Sequence, residues 1–216
     1  MRSFARSALS RDKNRLIDIR ITDMGARDAA WWDMRIGARH LTMPARADRY
    51  WSWSALLPMC HLVQIAKRRS CRPLVIWART DSRRFLRVGM SILIESYPYL
   101  DVYRKEDSHF VWFISAADGA TLESQFGMSH PPSLGQLLLD NAVVLSQNAG
   151  LGGRIGLHAA GAGGKELIGL YDHLGLIRLP EVARMPVAIQ RKSDGRFFYA
   201  DESRGEMLAE LLDARR

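Results

Sequence analysis

Apolar and polar positions alternate along residues 16–23, "LIDIRITD", and a period of two predicts a half-buried strand. After a mixed stretch, "AAWWDMRIGARH" (29–40) has helical spacing, and "WSWSALLPMCHLVQIAKRRS" (51–70) predicts a helix with Pro58 inside and a basic C-terminal end. Three apolar, β-branched runs follow: "PLVIWART" (73–80), "RFLRVGMSILIESYP" (84–98) with Gly89 as the place for a bulge, and "SHFVWFISAAD" (108–118). Their short connections predict an antiparallel meander. The pattern then changes. "PSLGQLLLDNAVVLSQNAG" (132–150) has Leu134, Leu137, Leu138, Ala142 and Leu145 on one helical face and stops at Gly150. "GRIGLHAA" (153–160) reads as a strand, "GGKELIGLYDHLG" (163–175) as a helix and "LIRLP" (176–180) as a strand. Residues 181–195 read as a linker ending in the turn 193–195, followed by a strand at 196–201 and a short helix at 202–214. The order predicts an α/β (α+β) fold, a mixed and largely antiparallel sheet flanked by helices.

The chain has 216 residues, enough for one compact domain; residues 16–216 read as that domain and residues 1–15 as a solvated basic tail. Lys and Arg number 31 against 23 Asp and Glu, a net charge of +8 that favours anionic partners: nucleic acid, anionic lipid or a phosphate-bearing cofactor. Two cysteines, Cys60 and Cys71, exclude a disulfide scaffold, and no Cys/His spacing suggests a metal. No apolar run reaches the roughly 18–20 residues that span a bilayer. The expected location is the cytoplasm.

Two segments carry a resemblance. "LYDHLGL" (170–176) is similar to the "LYExxGF" signature of the GNAT family, the acetyl-CoA-dependent N-acetyltransferases. "SLGQLLLDNAV" (133–143) resembles the end of that family's cofactor loop running into its helix. The element order over residues 16–200 is also similar. The resemblance implies a GNAT-like fold and acetyl-CoA as co-substrate. It implies that the diphosphate meets the first turn of helix 133–149, at Ser133, Leu134, Gly135, Gln136 and Leu137, where unsatisfied N–H groups and the dipole favour an anion. Against the family pattern, His130 stands at a Gln/Arg position, Ser133 at a glycine and Gly164 at an asparagine, while Pro131 and Pro132 lack amide donors.

The resemblance further implies that Phe113, Ile114 and Ser115 pair with the pantetheine by main-chain hydrogen bonds, and that Tyr171 protonates the departing thiolate. A phenol, with an ordinary pKa of ~10, holds its proton at neutral pH. For the base, Glu95 is the first candidate, His109 the second and a water chain the third. His158, at a strand end, is a candidate for the acceptor pocket. The basic run 67–72 reads as a solvated helix end or an anion contact; Trp31, Trp32, Trp51 and Trp53 read as core, or as aromatic walls of an acceptor pocket. The acceptor is read as a small-molecule or peptide amine, with nucleic acid less favoured, no membrane, and a homodimer left open. A non-catalytic binding or regulatory module on the same fold is the alternative; a basic nucleic-acid-binding protein is a third, carried by charge alone.

Overall fold

A computed structural model describes residues 2–10, 12, 15–44, 46–67, 69–100, 106–184 and 192–216. An eight-stranded sheet has the order β1-β2-β3-β4-β5-β6-β10-β7. The meander is as the pattern predicts. β3 (Cys71–Arg79), β4 (Phe85–Pro98) and β5 (Asp107–Ala116) pair antiparallel in succession, and β2 (Leu16–Asp23) adds antiparallel to the other side of β3. The register of β3 on β4 slips between Ile76, opposite Gly89, and Trp77, opposite Arg87, so Val88 is the extra residue beside the glycine expected there. Beyond β5, β6 (Ile155–His158) runs parallel to it, and β10 (Phe197–Ala200) lies antiparallel between β6 and β7 (Ile177–Arg178).

The segment expected to be a solvated tail is instead built into the sheet. β1 (Ser7–Leu9) pairs with the far edge of β2, with Ala5 and Ala8 buried. Ser10 bridges Pro132, and the Ser133 N–H donates to the Leu9 carbonyl at 2.8 Å. The linker expected at 181–195 is likewise part structure: β8 (Glu181–Arg184) pairs antiparallel with β9 (Lys192–Asp194), while residues 185–191 lie outside the described residues.

Before the meander, α1 (Ala26–Trp32), a π-turn segment (Asp33–Gly37) and α2 (Ala38–His40) form one irregular helix, and α3 (Trp53–Lys67) packs near it. Asp33 caps α3: its carboxylate accepts from the Trp53 and Ser54 amides at 2.7 and 2.9 Å. A helix absent from the pattern reading, α4 (Gly119–Phe126), starts where the Asp118 carboxylate accepts the Thr121 N–H and ends at Gly127, which has φ +60°. α5 (Gly135–Asn148) lies across β4 and β5, α6 (Gly164–His173) follows β6, and α7 (Glu202–Glu210) packs on α5.

Two buried clusters make up the core. One gathers Leu93, Val111, Leu139, Leu157, Tyr171 and Phe198 under α5, α6 and α7. The other gathers Trp32, Ile36, Trp53, Ile92, Phe110 and Phe197, beneath the irregular helix and α3. Strand alternation sends neighbouring residues into different clusters, which sets which side chains can meet in the site.

A cleft between parted strands

β5 and β6 pair only through His109–Ile155, Phe110–Gly156 and Val111–Leu157. β6 then ends at His158 and turns away; the Arg196 guanidinium donates to the carbonyls of Ala159 and Ala160 at 2.8 and 2.6 Å and holds that turn. β5 continues to Ala116 with only β4 as partner. A cleft of about 870 Å³ opens between the two, lined among others by Trp112–Ala116, Gly135, Leu138, His158 and Tyr171.

The edge of β5 that faces this cleft is set by a second bulge. The register on β4 slips between Ile92, opposite Phe113, and Leu93, opposite Val111. Trp112 is therefore the extra residue, and the sense of the main chain inverts past it. The Ala117 N–H donates to the Val88 carbonyl at 2.9 Å. Alternation back from that bond turns the main-chain groups of Ala116 and Ile114 toward the cleft and those of Ser115 and Phe113 toward β4. The Ala116 carbonyl is already taken, accepting from Arg46 Nη2 at 2.7 Å. Of the three residues expected to offer main-chain contacts, Ile114 is placed to do so; Phe113 and Ser115 line the cleft with side chains.

At the other end stands the N-terminus of α5. The helix starts later than Ser133: Leu134 is its cap position, with no side-chain cap bond, and the ladder begins with the Leu138 N–H to the Leu134 carbonyl at 3.0 Å. Ser133 cannot offer its amide, which Leu9 occupies. Among the described residues the amides of Leu134, Gly135, Gln136 and Leu137 have no protein acceptor. Ser133, Gly135 and Gln136 are exposed, and a Cβ placed on Gly135 would meet nothing within 4 Å. Free donors, a positive dipole end and an unobstructed approach fit a phosphate group. His130 is turned elsewhere, with Nδ1 3.1 Å from Asp12 Oδ2.

Tyr171 lies in the wall of the cleft, 5% exposed, its ring against Phe198 with centroids 5.4 Å apart. Burial pushes its phenol up to about 12, so it keeps its proton through the neutral range. No hydrogen-bond acceptor for it occurs among the described residues.

Neither candidate base is in the cleft. Glu95 lies near the C-terminal end of β4, its carboxylate 3.9 Å from the Arg72 guanidinium and its N–H donating to Ser70. β4 runs antiparallel to β5, so Met90, Ser91 and Ile92, not Glu95, stand beside the open half. His109 is 1% exposed, with Nδ1 buried and unpartnered, and burial lowers its pKa. His158 does reach the cleft. Its Nε2 lies 3.0 and 3.3 Å from the two Asp194 oxygens, and its ring lies 4.3 Å from that of Phe197. Asp194 carries no sequence signal beyond its turn; 36 residues separate it from His158.

The roof comes from residues 46–51. Arg46 grips Asp48 through two bonds of 2.8 and 2.7 Å, His40 Nδ1 lies 3.3 Å from the same carboxylate, and the Ser115 hydroxyl donates to it. Burial would raise the Asp48 pKa, but the bonds from His40 and Arg46 outweigh it and hold the carboxyl well below the usual range. Trp51 lines the cleft edge-on to Phe113, centroids 4.9 Å apart, whereas Trp32 and Trp53 are core and Trp31 packs on Phe126. Of the basic run 67–72, Arg69 and Arg72 do not line the cleft; Arg69 donates to the Ser96 carbonyl, and Arg68 lies outside the described residues.

No protein-family model matches this chain, and no curated protein matches it. Solved structures do. AAC(6')-Ib in complex with ribostamycin and coenzyme A superposes with a TM-score of 0.50 at 14% identity, over 87% of this chain and 96% of that one. Spermidine N-acetyltransferase from Vibrio cholerae, with CoA and spermine, gives 0.48 at 13% over 87% and 98%. A mutant of the AtaT toxin, bound to the C-terminus of the antitoxin AtaR and acetyl-CoA, gives 0.48 at 14% over 88% and 97%. The chain has the fold of the GNAT acetyltransferases.

Proposed function

We propose that this chain is an N-acetyltransferase that moves acetyl from acetyl-CoA to a primary amine by direct attack in a ternary complex. One observation carries the reading: a single cleft joins a free helix N-terminus to a buried, protonated phenol through a parted sheet. The amides of Leu134–Leu137 hold the diphosphate, and Gly135 lets it come close. The open edge of β5 at Ile114 aligns the amide-bearing arm and polarises the thioester carbonyl. Tyr171 gives its proton to the departing sulfur. Most of the acceleration comes from holding the two reactants in line, as in other bimolecular transfers.

Titration calorimetry with acetyl-CoA and with CoA tests the binding half; thiol release over an amine panel tests the transfer half. A second reading, a binding module without turnover, draws on the loop before α5: Pro131 and Pro132 lack amides and Ser133 spends its own on Leu9. It predicts CoA binding with no thiol release for any amine.

A further inference from the structure

The acyl-transfer reading leaves one proton without a taker. An amine is an ammonium ion at neutral pH, and its lone pair must be freed before it can attack. Glu95 and His109 lie outside the cleft. Asp48 is enclosed by Arg46, His40 and Ser115. Glu166 lines the cleft but has no orienting partner among the described residues. We propose that His158, oriented by Asp194, takes the proton from the attacking amine; the proposal rests on the acyl-transfer reading above.

The geometry selects both the residue and the ring nitrogen. Nε2 faces the two Asp194 oxygens at 3.0 and 3.3 Å, so it carries the proton of the neutral ring and Nδ1 keeps the lone pair. Asp194 is itself fixed, accepting the Arg196 N–H at Oδ1 at 3.0 Å. Burial would raise its pKa, but the bonds to His158 and Arg196 hold its carboxyl below the usual range. Phe197 packs against the imidazole. The other charged groups lining the cleft are Glu166 from α6 and the Arg46–Asp48 pair from the roof; Arg196, in the turn before β10, has its guanidinium committed to Ala159 and Ala160.

The protons then balance. Nδ1 takes one from the ammonium and becomes imidazolium. The freed nitrogen forms the C–N bond, and the C–S bond breaks. The nitrogen loses a second proton, which replaces the one Tyr171 gives to the sulfur. The imidazolium returns its proton to water. Base and acid act from different faces of the sheet, since His158 packs on Phe197 and Tyr171 on the adjacent Phe198.

The test uses the full chain with acetyl-CoA and two acceptors: the best alkyl amine found in a panel, and an aromatic amine that is neutral at assay pH. His158→Gln lowers kcat for the alkyl amine about 100-fold, leaves the calorimetric affinity for acetyl-CoA unchanged, and removes the acid limb of the wild-type pH–rate profile. For the aromatic amine, already deprotonated, the loss shrinks to a few-fold. Asp194 is a positioning residue: Asp194→Asn reproduces part of the defect, and Asp194→Glu recovers part of the rate. Equal losses for both amines, or an unimpaired His158→Gln enzyme, overturn the assignment while wild-type turnover keeps acyl transfer standing. A wild type that binds acetyl-CoA and releases no thiol with any amine overturns both.

Discussion

His158 and Tyr171 lie on opposite faces of the sheet, each against one of two consecutive phenylalanines: Phe197 packs on His158 and Phe198 on Tyr171. Neighbours along a strand point to opposite sides, so β10 carries both contacts without a long side chain bridging them. The parted end of β5 and β6 is the passage between the two faces.

Tyr171→Phe lowers kcat about 100-fold and leaves the acetyl-CoA affinity within a factor of two, in line with loss of a general acid. Stopped-flow thiol detection and calorimetry separate the two. The variant also changes alkaline stability. Burial raises the folded phenol to about 12, above its unfolded value of ~10. The neutral phenol's contribution is therefore complete below pH ~10 and is lost as pH rises toward the folded value. Between about pH 9 and 11 the wild type loses stability relative to Tyr171→Phe; parallel denaturant curves at both pH values check this. Tyr97, also raised to about 12 by burial, is common to both proteins and cancels.

Gly135→Glu uncouples the fold from the diphosphate site. Its Cβ meets nothing within 4 Å, and an acidic side chain at a helix N-terminus stabilises by ~0.3–1 kcal/mol. The same charge repels a phosphate. The melting temperature holds or rises while acetyl-CoA affinity falls at least about tenfold, the equivalent of ~1.4 kcal/mol. Unchanged affinity would remove the helix end from the site.

Asp48→Asn destabilises by about 3 kcal/mol at pH 7, because removing one partner of a buried charge network strands the rest. The folded pKa of Asp48 lies below its unfolded one. The carboxylate's contribution is therefore present above pH ~4 and fades as pH falls through the folded value. The gap in urea midpoint between wild type and variant narrows steadily from about pH 5 to pH 2.

Arg216→Ala exposes the opposite sign. Asp140 is 1% exposed on α5 and is held by Arg216 at 2.5 and 3.2 Å. Burial raises the Asp140 pKa even though Arg216 opposes it, so its charged form weakens the fold as pH rises through the folded value. Without Arg216 the loss is about 3 kcal/mol at pH 7 and shrinks as pH falls through the raised folded value and the carboxyl protonates. Adding Asp140→Asn to Arg216→Ala recovers most of the stability at pH 7.

The meander was legible because β3, β4 and β5 are buried on both faces and read as continuous apolar runs. β1 was hidden because an edge strand is held by main-chain bonds and small residues: Ala5 and Ala8 send no strong signal among arginines and serines. α4 could have been found, since Asp118 and Gly127 bracket it as cap and stop. Tyr171 and the start of α5 stood out because each sits at a helix end with its own local pattern. Glu95 was misplaced because strand content was readable while the parted end was not: that depends on which end of β5 loses its β6 partner. Asp194 was missed because only the tertiary return of β9 brings it to His158.

The slip at Trp112 turns peptide groups, more than side chains, to the cleft. An edge that greets a ligand with peptide groups places no demand on the identity of the side chains around it. On the acyl-transfer reading, recognition of that kind survives wholesale replacement of residues, so long as the strand keeps its kink. The walls of the cleft are then free to change while that edge stays as it is.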